Sequence, residues 1–330
     1  MEISLIKYSD MYAEASNEQM LLNLARKANG HPAYFMQLGS INSVYQFGAN
    51  VSTAAAEGAS PAGKIIDLWN GSFGLSGQEQ PSFSLTPLSG KDFAAAVFDP
   101  ISAKVFFNLV EQGMEIDKLL RVMAQSVSFT TTSGQQRTLI NVPDFDRQSS
   151  YRDFLRFAAI GRELQKRQLL ELNKGETGFV ITKDATDLID KLSREKDYYN
   201  FESEWKSVDA LKSSSNTPSI AIKLRTFEGV LTALATEHKL FNKLNKDSSH
   251  FLEGLPPLER HPVLRIDWDG FKGQLTPPVA KVNFSGKTYA IRDEEGMNWN
   301  RDVFILLSHL FAQISLDPGS LPVQQLIQVQ

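Results

Sequence analysis

The triplet Gly286-Lys287-Thr288 resembles the end of a phosphate-binding loop. That loop also needs a glycine where Lys281 stands, and a helix opening at the lysine. The alternation from Val279 to Asp293 instead predicts a hairpin turning near Ser285-Gly286. Gly71, Gly74 and Gly77 are no better as a dinucleotide fingerprint, because no helix with an apolar face follows them; they suit a narrow strand surface. The five histidines, His31, His238, His250, His261 and His309, lack a metal-binding spacing. His250, Glu259 and His261 are the set that would converge on a metal, against the plainer reading of surface or loop histidines. Asp267 and Asp269 flank Trp268 on one face of an expected strand, as paired acid–base carboxylates would. Solvated carboxylates beside a buried Trp268 is the preferred reading. Asp293, Glu294 and Glu295 read as an exposed turn. Without a Gly-x-Ser-x-Gly elbow, hydrolase chemistry has little to rest on.

No residue set is therefore assigned to catalysis, a cofactor or a metal, and the expectation is a protein that is not an enzyme. An enzyme using Asp267, Asp269 or the His250–His261 region is kept as a lesser alternative. Arg26, Arg121, Arg162, Arg225 and Arg292 sit beside apolar positions. They are either ion-paired between domains or subunits, or snorkel at the surface.

Composition bounds the remaining choices. A chain of 330 residues with 42% hydrophobic and 22% charged residues has the balance of a folded protein. Its length suits one large or two ordinary domains. A net charge of -4 argues against general nucleic-acid binding. The absence of cysteine removes disulfides, thiolate zinc sites and cysteine nucleophiles. No apolar run is long enough for a transmembrane helix. Met1-Glu2-Ile3-Ser4 lacks the basic start and apolar core of a signal peptide. The readings left open are a cytoplasmic protein or a mature form that has lost its signal.

The elements follow from periodicity. Ser16 to Asn29 reads as a helix capped by Ser16 and stopped by Gly30 and Pro32. Helices are expected over Lys91 to Val97, Ser102 to Glu111, Ile116 to Ser126, Gln148 to Leu172, Asp184 to Arg194, Thr226 to Lys239 and Asn300 to Ile314. Strands are expected over Gly178 to Thr182, Ser219 to Leu224, Val263 to Trp268 and Leu321 to Val329, with a polar loop from Lys206 to Pro218. The fold class is α+β: a mixed helical and β body carrying a long amphipathic β-hairpin. The division is 1–40 as an N-terminal helix and lead-in, 41–89 as the hairpin, 90–255 as a mainly helical body, and 256–330 as a hairpin plus helix.

Within 41–89 the period changes to two. Ile41, Tyr45, Phe47 and Val51 share one face with Trp69, Phe73 and Leu75, and these are the candidate lipid-facing residues. Asn42, Gln46, Asn50, Ser52, Asn70, Ser72 and Ser76 share the other face and are candidates to line a watery pore. Pro81 should lie outside any hydrogen-bonded centre. Each limb exceeds the roughly 9–11 tilted residues that span a hydrocarbon layer. A lone hairpin exposes edges prone to pairing, and a closed barrel of such hairpins removes them. The alternative is a hairpin in a soluble sheet.

Several segments resemble, in order, a family of uncharacterised proteobacterial cell-envelope proteins, many of them predicted lipoproteins. The opening carries Asn17-Glu18-Gln19-Met20-Leu21-Leu22-Asn23-Leu24-Ala25-Arg26, then Gly30-His31-Pro32-Ala33-Tyr34-Phe35 and Ser40-Ile41. Pro81 to Gly90 with Phe93, Leu119-Leu120-Arg121, Arg162-Glu163-Leu164-Gln165, Arg225-Thr226 with Val230-Leu231, and Gly286 to Ile291 with Phe304, Leu306-Leu307 and Leu310-Phe311 continue it. The resemblance implies an exported protein tethered through an N-terminal lipidated cysteine, which this sequence lacks. It carries no assigned activity and transfers no catalytic residues.

The expectation is a homo-oligomeric envelope protein. Each copy lends its hairpin to an outer-membrane β-barrel pore above a periplasmic body. Its partners would be copies of itself, the lipid bilayer and other envelope proteins, with no nucleic acid. The alternative is a soluble periplasmic scaffold or adaptor.

Overall fold

Alternating helix-period and strand-period stretches fold the chain into a mixed α+β structure, seen here in a computed structural model that describes residues 5–51, 73–130, 135–172, 178–180, 183–196, 219–247 and 250–314. In chain order the elements begin with α1 (Leu5–Ala28), β1 (Met36–Val51), β2 (Phe73–Pro87), α2 (Lys91–Phe98), α3 (Ala103–Glu111) and α4 (Ile116–Met123). They continue with β3 (Ala124–Thr130), β4 (Gln136–Ile140), α5 (Gln148–Lys166), β5 (Glu171–Leu172), β6 (Gly178–Val180) and α6 (Lys183–Glu195). The last are β7 (Ser219–Leu224), α7 (Phe227–Asp247), β8 (Ala280–Phe284), β9 (Lys287–Ile291) and α8 (Trp299–Ile314). Two units emerge, Met1–Tyr34 with Ser89–Gln330, and Phe35–Leu88.

The larger unit is built on a five-stranded antiparallel sheet of order β4-β3-β7-β6-β5. Its β3 was expected as the tail of a helix reaching Ser126. That helix stops at Met123, because Val127 and Phe129 alternate as buried strand residues. The helical core gathers Leu119, Leu120, Phe154, Ala158, Leu231 and Leu234, all fully buried on α4, α5 and α7. Helices α4 and α5 meet closely at Gly161, where an added Cβ would stand 3.3 Å from Ile116 Cγ2.

Further elements differ from expectation: helix α7 runs on to Asp247, past the expected end at Lys239, and strands β4 and β5 were not anticipated. Helix α1 begins at Leu5, so Ser16 is an interior residue and not a cap. Helix α5 ends at Lys166 instead of running to Leu172. Gln168 takes a left-handed φ of 58°, Leu169 N–H donates to Leu164 C=O at 2.9 Å and Gln168 N–H donates to Gln165 C=O at 3.0 Å. That is a Schellman closure made without glycine. The segment from Val263 to Trp268 is not a strand, although Val263, Leu264 and Ile266 are buried. Much of its backbone is satisfied by side chains: Val263 N–H donates to Glu237, Arg265 N–H to Asn300 Oδ1, and Val263 C=O accepts from Trp299 Nε1.

The smaller unit is the β1–β2 antiparallel hairpin. Its register shifts between Leu38, opposite Leu85, and Ile41, opposite Phe83, so β1 carries one extra residue there. That bulge restores phase, because Leu85 and Phe83 share a face and Leu38 and Ile41 would otherwise lie on opposite ones. Pro81 was expected outside the ladder but lies within β2, opposite Ser43. Among the described residues β2 pairs with β1 alone, and an edge strand tolerates proline where its missing N–H faces away from the partner. The expected loop at Lys206 to Pro218 and strand at Leu321 to Val329 lie outside the described residues.

Candidate functional site

The hairpin brings together positions whose likeness the two limbs showed separately. Asn42 stands opposite Ser82, Gln46 opposite Gln78, Gly48 opposite Ser76 and Asn50 opposite Gly74. Between them alternate Ile41 with Phe83, Tyr45 with Glu79, Phe47 with Gly77, Ala49 with Leu75 and Val51 with Phe73. Directly opposed residues share a face, so the polar positions of both strands fall together and the apolar ones fall together. The exceptions are Glu79 and Ser43, the latter opposite Pro81, on the apolar side, and Val44, opposite Gln80, on the polar side. Ser52, Trp69, Asn70 and Ser72 lie outside the described residues.

In the larger unit the arginines left open by sequence form a buried chain of alternating charge. Arg162 on α5 pairs with Asp117 on α4 and donates to Glu259 Oε1 at 2.8 Å. Burial works against its guanidinium, yet Glu259 and Asp117 hold it above its ordinary value. Burial likewise pushes the Glu259 carboxyl up to about 7, against the pull of Arg162 and Arg121. Arg121 donates to His261 C=O at 2.6 Å and lies 3.9 Å from Glu237. Glu237 on α7 accepts from Tyr151 Oη at 2.7 Å and from Val263 N–H at 3.0 Å. Burial raises its carboxyl above the usual range.

Arg225 completes the chain. It donates to the carbonyls of Arg121, Val122 and Asn141, and burial lowers it to about 10. Asn141 Nδ2 in turn donates to Arg121 C=O and to Ala124 C=O. These arginines join α4, α5, α7 and the end of β7 inside one unit, which is where three of the five candidates are spent. Arg26 instead donates to Asn23 and lies over the Tyr34 ring. Arg292 lends its carbonyl to Asn300.

The other chemical candidates do not converge. Glu259 is engaged by Arg162, His250 lies beside Glu253, and His261 Nδ1 lies 2.8 Å from Pro262 C=O. No cluster of metal-ligating side chains occurs among the described residues. Asp267 accepts from Asp269 N–H, so this pair shapes a turn and not a strand face. Asp293, expected in an exposed turn, is 1% exposed and accepts from Arg301 N–H at the start of α8. Gly286 (φ 74°) and Ser285 (φ 49°) form the expected tight turn between β8 and β9, with positive φ at both central residues. Lys287 and Thr288 are strand residues there, not a phosphate cradle.

A cleft of about 600 Å³ opens along α7, lined in part by Val142, Lys223, Ala233 and Leu240 and by the buried Arg121 and Glu237. Nothing in the sequence marked it, because its wall is made by small side chains at helical spacing, Gly229, Ala233 and Thr236. The chain matches no protein-family model, no curated protein and no solved structure.

Proposed function

We propose that this chain is a homo-oligomeric protein of the bacterial cell envelope whose copies each lend the β1–β2 hairpin to a closed outer-membrane β-barrel pore. The observation that carries the reading is the ladder register. It sets Ile41 with Phe83, Ala49 with Leu75 and Val51 with Phe73 on one face, and Asn42 with Ser82 and Gln46 with Gln78 on the other. Strands of 16 and 15 residues exceed what the hydrocarbon layer requires. Among the described residues each strand has a single neighbour, leaving two edges to be paired. Closure by identical copies removes both edges. The resemblance to envelope proteins supports the location. In this reading Asn42, Gln46, Asn50 and Ser76 line water, Ile41, Phe47, Val51, Phe73 and Leu75 face lipid, and no residue performs catalysis.

The test is deletion of residues 42–84, followed by oligomer size in detergent and channel conductance in planar bilayers. The full chain should form a ring and conduct, and the deletion should do neither. A full chain that stays monomeric and silent beside membranes would sink the proposal.

A second reading is favoured by one position. Glu79 stands opposite Tyr45 on the face that would meet lipid, and a carboxylate near mid-bilayer is unfavourable. That charge suits a soluble scaffold whose hairpin adds to a partner's sheet. Amide exchange distinguishes the two: a hairpin protected in the water-soluble monomer favours the scaffold.

A further inference from the structure

The cleft along α7 is lined by residues of the larger unit alone. Its volume, about 600 Å³, is in the range of small-molecule sites, roughly 300–1,000 Å³. Val142 and Leu240 in its lining are 38% and 40% exposed, apolar surface left to water. Ala233 lines the cleft on the same helix face as Leu240.

The lining is cationic and incompletely satisfied. The Arg121 side chain is 1% exposed: its Nη2 reaches His261 C=O and lies 3.9 Å from Glu237, its guanidinium lies over the Trp299 ring, and its Nε and Nη1 have no hydrogen-bond partner among the described residues. Leaving such donors unmet in a buried site is costly. The carboxylates lining the cleft are already engaged. Glu228 pairs with Lys27, and the two oxygens of Glu237 accept from Tyr151 and Val263. Lys223 and Arg225 add two more cations to the lining. Arg225 spends its donors on backbone carbonyls, which satisfy its hydrogen bonds but carry no formal charge.

We propose that this cleft binds a small amphipathic carboxylate, its apolar body against Ala233, Leu240 and Val142 and its carboxylate directed to Lys223, with the charges of Arg121 and Arg225 in the same lining. A carboxylate can accept from the Lys223 ammonium a charge-assisted hydrogen bond that is stronger than any a neutral headgroup would make. The apolar walls disfavour a strongly hydrated inorganic anion, which would lose its water without gaining partners.

The probe is sodium dodecanoate below its micelle concentration, titrated calorimetrically into the full-length chain, with dodecanol as the uncharged control. Saturable binding is expected, with dodecanol weaker by at least about tenfold, as the loss of one charge-assisted contact implies. Ala233→Phe, which fills the cleft from a partly exposed helix face, should weaken dodecanoate by about tenfold or more while unfolding at the same temperature. Lys223→Gln should weaken it several-fold and leave dodecanol unchanged. Absence of saturable binding, equal affinity for dodecanol, or a folded Ala233→Phe variant that binds as the parent does would each overturn the proposal. The hairpin deletion should bind dodecanoate unchanged, so failure of the pore reading leaves this one standing.

Discussion

Tyr151 on α5 donates its hydroxyl to Glu237 on α7 at 2.7 Å, and this contact ends a run of buried charges that begins at Asp117 on α4. The tyrosine is 1% exposed and its ring stacks on Phe251 at 6.2 Å between centroids. A polar contact thus sits inside an aromatic core, where a lost partner cannot be replaced by water. Burial, with the Glu237 charge beside it, raises the Tyr151 hydroxyl well above its ordinary value, so it donates at any physiological pH.

Removing the carboxylate should cost more than removing the hydroxyl. Glu237→Ala leaves Arg121 and Arg225 without their shared anion, an expected loss of about 3–5 kcal/mol. Tyr151→Phe removes one hydrogen bond to a charged group, about 1.5–3 kcal/mol. The two should be non-additive, Tyr151→Phe costing less in the Glu237→Ala background. Urea unfolding of the four chains measures this, and a Glu237→Ala loss below about 1 kcal/mol would refute the account.

The buried carboxylates and histidines should give opposite pH signatures. The folded Glu259 carboxyl titrates near 7 against an ordinary 4.5, so within that window the folded chain holds more protons than the unfolded one. Stability from this group therefore falls as pH rises, by about 1.4 kcal/mol per unit. Glu259→Gln removes that slope, and its stability relative to the parent should climb between pH 4.5 and 7.

His238 behaves the other way. Burial lowers it from 6.5 to about 4, so the unfolded chain takes the proton first and stability drops as pH falls through that window. His238→Gln should gain on the parent as pH falls. His261, lowered by burial to about 3, acts in the same sense and extends the window downward. Thermal unfolding across pH 4 to 7 checks both, and parallel curves for parent and variants would refute the assignment.

The hairpin register is open to a covalent test, because the parent has no cysteine to interfere. Gln46→Cys with Gln78→Cys places two thiols at directly opposed positions, which suits disulfide geometry. Gln46→Cys with Gln80→Cys places them on a diagonal and should cross-link far less. Mass analysis after mild oxidation of dilute protein distinguishes the pairs, and efficient linking of the diagonal pair alone would show a slipped register.

Asn300 organises the segment from Val263 to Trp268. Its Nδ2 donates to the carbonyls of Arg265 and Arg292, and its Oδ1 accepts from Arg265 N–H. Asn300→Ala leaves these groups unmet, an expected loss of about 1–3 kcal/mol for each that stays buried. Asn300→Asp keeps the acceptor and loses the donors, so it should not rescue. Chemical denaturation of both variants provides the measurement.

Local order in the sequence determined much of this protein. The turn at Ser285-Gly286, the helices α2, α3, α6 and α8 within a residue or two, and the matched alternation of β1 and β2 follow from spacing along the chain. Such features depend on neighbours a few residues apart, and a linear reading contains those neighbours. Even β3 carried its signal, since Val127 and Phe129 alternate; the helical run before it masked the change of period.

Tertiary structure decided the rest. Arg162 and Glu259 are far apart in sequence, as are Tyr151 and Glu237, and periodicity along the chain does not pair them. Asp293 reads as exposed until α8 covers it and supplies Arg301 N–H. The segment 263–268 has a strand's composition but is held by Glu237, Trp299 and Asn300, so no ladder forms. The cleft along α7 exists because small residues on one helix face meet a wall from distant strands and loops. A chain records which residues prefer burial; only the packed fold determines which buried charges face one another and which donors are left without a partner.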